Sequence, residues 1–185
     1  MTEIIHGKLV ILRPATTLDR KPIFDWLTNS DLTSQMMGPP TYPDSKIPTW
    51  EEFILDYKEY FFDSSQPLLG RCFVIEVNSE PIGQINHDKI YPPDNTTELD
   101  IWLKSRKYTG KGYGTDAIIT LCDYLTKTFD CRKFTISPSR RNINAIKAYK
   151  KAGFIETDLA IDPSMADYND AVVLIKHASS IKTFL

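Results

Sequence analysis

Apolar and polar positions recur along this chain with two periods, and the changes of period divide it into strands and helices. Lys8–Arg13 reads as a strand closed by Pro14, and Asp19–Ser30 carries Ile23, Phe24, Trp26 and Leu27 at helical spacing. The stretch Met36–Pro48 holds four prolines and a glycine, so it reads as a loop with few conformations. Thr49 and Glu52 form a capping-box pair ahead of Trp50, Phe53, Ile54, Tyr57 and Phe61, which follow at helical periods. Cys72–Val77 and Pro81–Ile85 are strands joined by the turn Asn78-Ser79-Glu80. Thr97–Leu103 is a further strand, with Glu98, Asp100 and Trp102 on one face and Leu99, Ile101 and Leu103 on the other. A glycine-rich turn at 110–114 then opens a helix that turns Ala117, Ile118, Leu121, Cys122 and Leu125 inward. Lys133–Ser137 is a strand stopped by Pro138, and Asn142–Ala152 is a helix ended by Gly153. Phe154–Leu159 and Ala171–Ile175 complete the set. This order of elements predicts an α/β (α+β) fold, a mixed sheet with helices on its faces.

Composition narrows the class. The 185 residues suffice for one domain spanning 1–185, and 42% apolar with 25% charged residues is ordinary for a globular enzyme. No apolar run approaches the ~18 residues of a membrane span, and the first residues lack the pattern of a signal peptide. Cys72, Cys122 and Cys131 have neither disulfide nor zinc spacing, and read as small core residues of a reducing cytoplasm. His6, His87 and His177 lie far apart, so no metal site is expected. Net charge is −2 but unevenly spread. Between Lys104 and Lys151 stand twelve Lys/Arg and three acids, whereas Asp25–Asp63 holds eight acids and two lysines, and 155–170 five acids and no base. Such blocks are often solvated surface; they gain meaning if the basic one meets a phosphorylated ligand and the acidic ones a cation. Nucleic acid is not expected, because the basic helix lacks interleaved aromatics and the chain is mildly acidic.

Two segments carry candidate chemistry. Thr109-x-x-Gly112-x-Gly114 stands between a strand and a helix, where small residues admit close backbone approach and the first helical N–H groups form an anion site. It fits neither the dinucleotide fingerprint nor a Walker A loop, and alone it could be a simple connection. The second, Ser137 to Phe154, places Asn142 as a helix cap with Ala145, Ala148 and Ala152 keeping one face slim. By itself it reads as a capped amphipathic helix with Tyr149 in the core.

Together, about 25 residues apart, the two segments resemble the GCN5-related N-acetyltransferase (GNAT) superfamily. Leu12-Arg13-Pro14 and Glu80-Pro81-Ile82-Gly83 agree, and the likeness runs from Lys8 to Ile175. The pattern is nearest to aminoglycoside 6'-N-acetyltransferases through Trp26-Leu27-x-x-Ser30, Leu99-Asp100 and Gly110-Lys111-Gly112-x-Gly114-Thr115. Thr109, Ser137, Tyr91–Asp94 and Met36-Met37 depart from that pattern, mostly on the acceptor side.

The resemblance implies a mostly antiparallel central sheet whose strands Thr97–Leu103 and Lys133–Ser137 splay to admit a pantetheine arm. It implies acetyl-CoA as donor, with Lys111, Gly112, Tyr113, Gly114 and Thr115 holding the pyrophosphate through backbone N–H groups. Arg140, Arg141 or Lys147 would take the remaining phosphate, and Asn142 would bond the arm. Asp100, or else Glu98 on the same face, would be the base; either could instead only bind the cationic substrate. Tyr149 would donate to the leaving thiolate, and an N–H at Ile101 or Trp102 would meet the oxyanion. The expected acceptor is a small polycationic amine such as an aminoglycoside. Alternatives are a peptide or ribosomal-protein terminus, a polyamine, or a non-catalytic acyl-CoA-binding module, which would need neither Asp100 nor Tyr149. A cytoplasmic monomer or homodimer without a membrane partner is expected.

Overall fold

The computed structural model describes residues 3–37, 47–158, 168 and 170–178. Its elements in chain order are β1 (Ile5–His6), β2 (Ile11–Pro14), α1 (Arg20–Thr28), α2 (Thr33–Met37), α3 (Trp50–Asp56) and α4 (Tyr60–Asp63). There follow β3 (Arg71–Val77), β4 (Glu80–His87), β5 (Thr96–Leu103), α5 (Tyr113–Phe129), β6 (Lys133–Ile136), α6 (Ile143–Lys151), β7 (Ile155–Glu156) and β8 (Leu174–His177). The eight strands form one sheet in the order β1-β2-β3-β4-β5-β6-β8-β7, and every pairing but β5 with β6 is antiparallel.

Alternation along the strands feeds two cores. Leu12, Phe73, Ile75, Ile85, Leu99 and Phe134 share a core with α5 and α6, and the inward residues that the sequence assigns to α5 are all buried there. Cys72, Val74 and Trp102 face the other way, against Ile23 of α1, Phe53 of α3 and Phe61 and Phe62 of α4. The helices therefore cover both faces of a mixed sheet, as the order of elements predicts.

The central joint positions the site. β5 pairs with β6 only at Thr96, Thr97 and Glu98, opposite Lys133, Phe134 and Thr135. Leu99 to Leu103 pair with β4 on the other edge, so from there on β5 and β6 diverge and leave a gap. The tight β4–β5 contact explains Gly83, since a Cβ there would collide with the Trp102 carbonyl oxygen. Arg13 accounts for the Leu12-Arg13-Pro14 motif: its guanidinium grips Asp19 at 2.9 Å and Glu76 at 2.8 Å, tying β2 to the first helical turn and to β3. Burial works against ionisation of Asp19, but the Arg13 contacts and the hydrogen bonds from Thr16 together outweigh it and hold the carboxyl below its usual range.

Several local predictions differ from the structure, among them the last two strands, which are Ile155–Glu156 and Leu174–His177 rather than Phe154–Leu159 and Ala171–Ile175. The strand read as Lys8–Arg13 is β2 and begins only at Ile11, after a short β1 at Ile5–His6, because the N–H groups of Lys8, Leu9 and Val10 turn to the Asp116 carboxylate at 3.2, 2.6 and 3.0 Å. The helix after the capping box stops at Asp56 instead of running to Phe61, since Arg20 of α1 captures the carbonyls of Ile54 and Tyr57, each at 3.0 Å. Met36 and Met37 close α2 rather than lying in a loop. The rest of that proline-rich stretch up to residue 46, and Leu159, fall outside the described residues.

Candidate active site

Where β5 leaves β6, a cleft of about 780 Å³ opens between the α1–α4 layer and the start of α6. β5 supplies Glu98 and Asp100 to it, both exposed, because the pleat turns them to the same face as Trp102. Trp102 itself is buried and fixed by its Nε1–H to the Ile23 carbonyl at 3.2 Å. Asp56 and Asp88 are the other carboxylates on the described walls, and Lys89 is the single cation there. Phe53, Tyr57, Tyr60, Tyr91, Trp102 and Tyr149 contribute aromatic surface.

Tyr57 organises the acids. Its hydroxyl donates to Asp100 Oδ2 at 2.9 Å and lies 3.2 Å from Asn86 Oδ1, while Asn86 Nδ2 donates to Asp88 Oδ1 at 3.2 Å. Burial pushes the Tyr57 phenol well above its ordinary value, and the charges of Asp100 and Asp88 add to that. The other oxygen of Asp100 accepts the Ile101 N–H at 2.8 Å. The amide expected to serve as an oxyanion donor is thus engaged by the neighbouring carboxylate.

Tyr149 comes from α6, belongs to the α5-side core and still lines the cleft, so it reaches the acids through the gap between β5 and β6. Burial raises its phenol above the usual tyrosine value, and the negative charge of Asp100 raises it further. Asn142 caps α6 by accepting the Ala145 N–H at 3.3 Å, and it lines the same cleft. Three of the four departures from the antibiotic-enzyme pattern, Met36-Met37, Ser137 and Tyr91 of the Tyr91–Asp94 stretch, lie on these walls as well.

On the far side of the gap stands the glycine turn. Gly112 is the N-cap of α5 at φ +85°, a conformation that a residue with a Cβ rarely adopts. The first helical hydrogen bond runs from Asp116 N–H to the Gly112 carbonyl at 2.9 Å. The N–H groups of Tyr113, Gly114 and Thr115 have no carbonyl inside the helix to meet, which makes the turn an anion cradle beside exposed Lys111. Of the three basic candidates on α6 and before it, Arg140 pairs with Glu156 at 3.2 Å and Arg141 with Asp170 at 2.8 Å. Lys147 is exposed and makes no ion pair among the described residues. Burial lifts the Cys122 thiol to about 12, so it stays protonated and does not act as a nucleophile.

The structure brings together Asp100, Glu98, Tyr149, Asn142, Ile101 and Trp102, with the glycine turn at the neighbouring helix start. Sequence reasoning missed Tyr57, Asn86 and Asp88. The available signal was a pair of polar residues, Gln84 and Asn86, spaced by two within an apolar strand. Among the described residues no group of three His, Cys, Asp or Glu could hold a metal ion. No helix among them is long and apolar enough to cross a membrane.

Comparison with known proteins bears on the family and the fold. The family model described as an acetyltransferase (GNAT) domain matches residues 10–155. An aminoglycoside N(6')-acetyltransferase type 1 of Klebsiella pneumoniae is 26% identical over 157 residues, covering 78% of this chain and 73% of that protein. The solved aminoglycoside acetyltransferase AAC(6')-Ib, in complex with paromomycin and acetyl-CoA, superposes with a TM-score of 0.70 at 24% identity, over 92% of this chain and 94% of that one. A spermidine N-acetyltransferase from Vibrio cholerae in complex with CoA and spermine gives 0.68 at 20% identity, over 92% and 96%.

Proposed function

The chain belongs to the acetyltransferase (GNAT) family, and from that premise we propose that it moves an acetyl group from acetyl-CoA to a primary amine of a small polycation such as an aminoglycoside. The charge of the cleft carries the choice of acceptor: among the described residues four carboxylates against one lysine, on aromatic walls, favour a ligand with several ammonium groups. Acetyl-CoA, when bound, supplies an electrophilic thioester carbonyl and a thiolate leaving group. The α5 N–H groups at Tyr113, Gly114 and Thr115 suit its pyrophosphate. Lys147 is the best placed of the basic candidates for the remaining phosphate, since Arg140 and Arg141 already answer acids of this chain. The open edge of β5 past Glu98 suits the amide-bearing arm.

An alkylammonium, with a pKa near ~10, has to lose a proton before its nitrogen can attack. Asp100 is the base in this reading: it lies at the mouth of the gap and is oriented at both oxygens. Glu98, one pleat away, holds the cation. Tyr149 keeps its proton more tightly than a thiol does, so it acts by hydrogen-bonding the developing thiolate rather than by surrendering the proton.

The test is CoA-thiol release with a panel of aminoglycosides, spermidine and a peptide with a free N-terminus. Polycations should show kcat/KM at least about tenfold above the peptide, with a preference that weakens as salt rises. Preference for the peptide at every ionic strength would overturn the acceptor assignment.

A further inference from the structure

A carboxylate that takes up a proton turns from acceptor to donor at one oxygen, so the neighbours of a base have to serve both states. The role assigned to Tyr57 here rests on Asp100 being that base. At Asp100 Oδ1 the neighbour is the Ile101 N–H, 2.8 Å away, which can only donate. At Oδ2 it is the Tyr57 hydroxyl, 2.9 Å away, which can donate or accept. That hydroxyl has one hydrogen and two acceptors, because Asn86 Oδ1 lies 3.2 Å from it. Asn86 is held with its oxygen toward Tyr57 by donating Nδ2–H to Asp88 Oδ1 at 3.2 Å.

The tyrosine ring has little room to move. It stacks on Phe53 with centroids 4.6 Å apart, meets Trp102 edge-on at 5.6 Å, and its own carbonyl is held by Arg20 Nε at 3.0 Å. Of the whole side chain, the hydroxyl hydrogen is the part with a choice.

We propose that Tyr57 is a positioning residue with a two-position hydroxyl: its hydrogen points to Asp100 while Asp100 is ionised and turns to Asn86 once Asp100 is protonated. The balance is simple. An N–H bond of the acceptor ammonium breaks, its electron pair stays on nitrogen as the attacking lone pair, and the proton forms an O–H bond on Asp100. That new O–H turns to donate to Tyr57 Oη, whose own hydrogen has rotated about the C–O bond to Asn86. Tyr57 neither gains nor loses a proton, in keeping with a burial that disfavours phenolate.

The test is a pH series of kcat/KM and kcat with the best polycation, for wild type, Tyr57→Phe, Asn86→Leu and Asp100→Asn, with acetyl-CoA affinity and melting temperature recorded for each. The other titratable groups facing Asp100 stay unchanged in the first two variants: Glu98 on its own strand, Cys72 on β3, Asp88 beyond Asn86, and Tyr149 and Tyr168 across the cleft. Tyr57→Phe removes a donor to the ionised form and should move the acid limb up by about one pH unit, the worth of a charge-assisted hydrogen bond. Asn86→Leu removes the resting place of the hydrogen, penalises protonated Asp100 and should move the same limb down. In that variant kcat should fall about tenfold with KM for the amine kept, since only the proton-accepting state suffers. Opposite shifts from two touching residues are not what loss of packing gives. If Asn86→Leu does not fold, Asn86→Ala takes its place. Shifts of the same sign, or none, beside an inactive Asp100→Asn would overturn the switch and leave Asp100 as base. An Asp100→Asn enzyme with undiminished kcat would overturn the base reading itself.

Discussion

A phenol enclosed by protein holds its proton more tightly than one in water, and at Tyr149 a carboxylate on the far side of the gap adds to the effect. Such a group is a hydrogen-bond donor that cannot leak into phenolate at neutral pH. Tyr149→Phe keeps the ring and its packing but removes the donor. The variant should bind acetyl-CoA as wild type does and lose about 10²-fold in kcat, the cost of one preorganised donor to developing charge. Steady-state rates with acetyl-CoA affinity measured in parallel check this, and an unchanged kcat would return Tyr149 to the core. The capping residue Asn142 shows that one side chain can serve two ends: its oxygen closes the first turn of α6 while the residue lines the cleft.

At the scale of elements, the start of α5, where the pyrophosphate is proposed to lie, allows structure to be separated from ligand contact. A side chain at Gly112 is strained at φ +85° and meets Leu9 at 3.3 Å, so any substitution there mixes two effects. Gly114 has its nearest neighbour, Ile101 Cδ1, at 3.9 Å and lies in the helix. Gly114→Val should therefore leave the melting temperature of the free protein close to wild type and weaken acetyl-CoA binding by more than about tenfold, by blocking approach to the amides. Calorimetric titration beside a thermal melt decides it. Periodicity made α1, α5, α6 and the β3–β4–β5 meander legible, because each follows from a local pattern of apolar residues. It did not show where β2 starts or where α3 stops. Those boundaries are set by Asp116 and Arg20, which act from helices distant in sequence.

Across the whole molecule, charge blocks proved a partial guide. The acidic segment after Ile155 answers the basic block inside the chain, through Glu156 with Arg140 and Lys150 and through Asp170 with Arg141. Three of the four cleft acids, Asp88, Glu98 and Asp100, come from neither acidic block. That Asp100, Glu98 and Tyr149 would share one cleft was legible because a motif carried them, whereas Tyr57 and Asn86, on the same walls, sat in apolar periods. A second buried group governs stability. His87 is fully buried beside Arg71, and burial lowers its imidazole to about 4. The unfolded chain, with a value near ~6.5, binds the proton first, so stability is complete above that pH and is lost as pH falls toward about 4, by on the order of 3 kcal/mol. Melting temperatures between pH 7 and 4 should show this slope in wild type and a flatter one in His87→Gln.

The carboxylate of Asp116 has a consequence for the anion cradle above it. It sits in the first turn of α5 and is filled on its outer side by the amides of three residues from the beginning of the chain. The helix start therefore already has one resident anion on its flank, and those amides shield that charge from the tip, where a pyrophosphate is proposed to lie. Take the amino-terminal turn away and the same carboxylate becomes a bare neighbour of like sign. On the proposed reading, the turn at Lys8–Val10 thus governs from beneath how readily a phosphate is held at a helix that begins a hundred positions later.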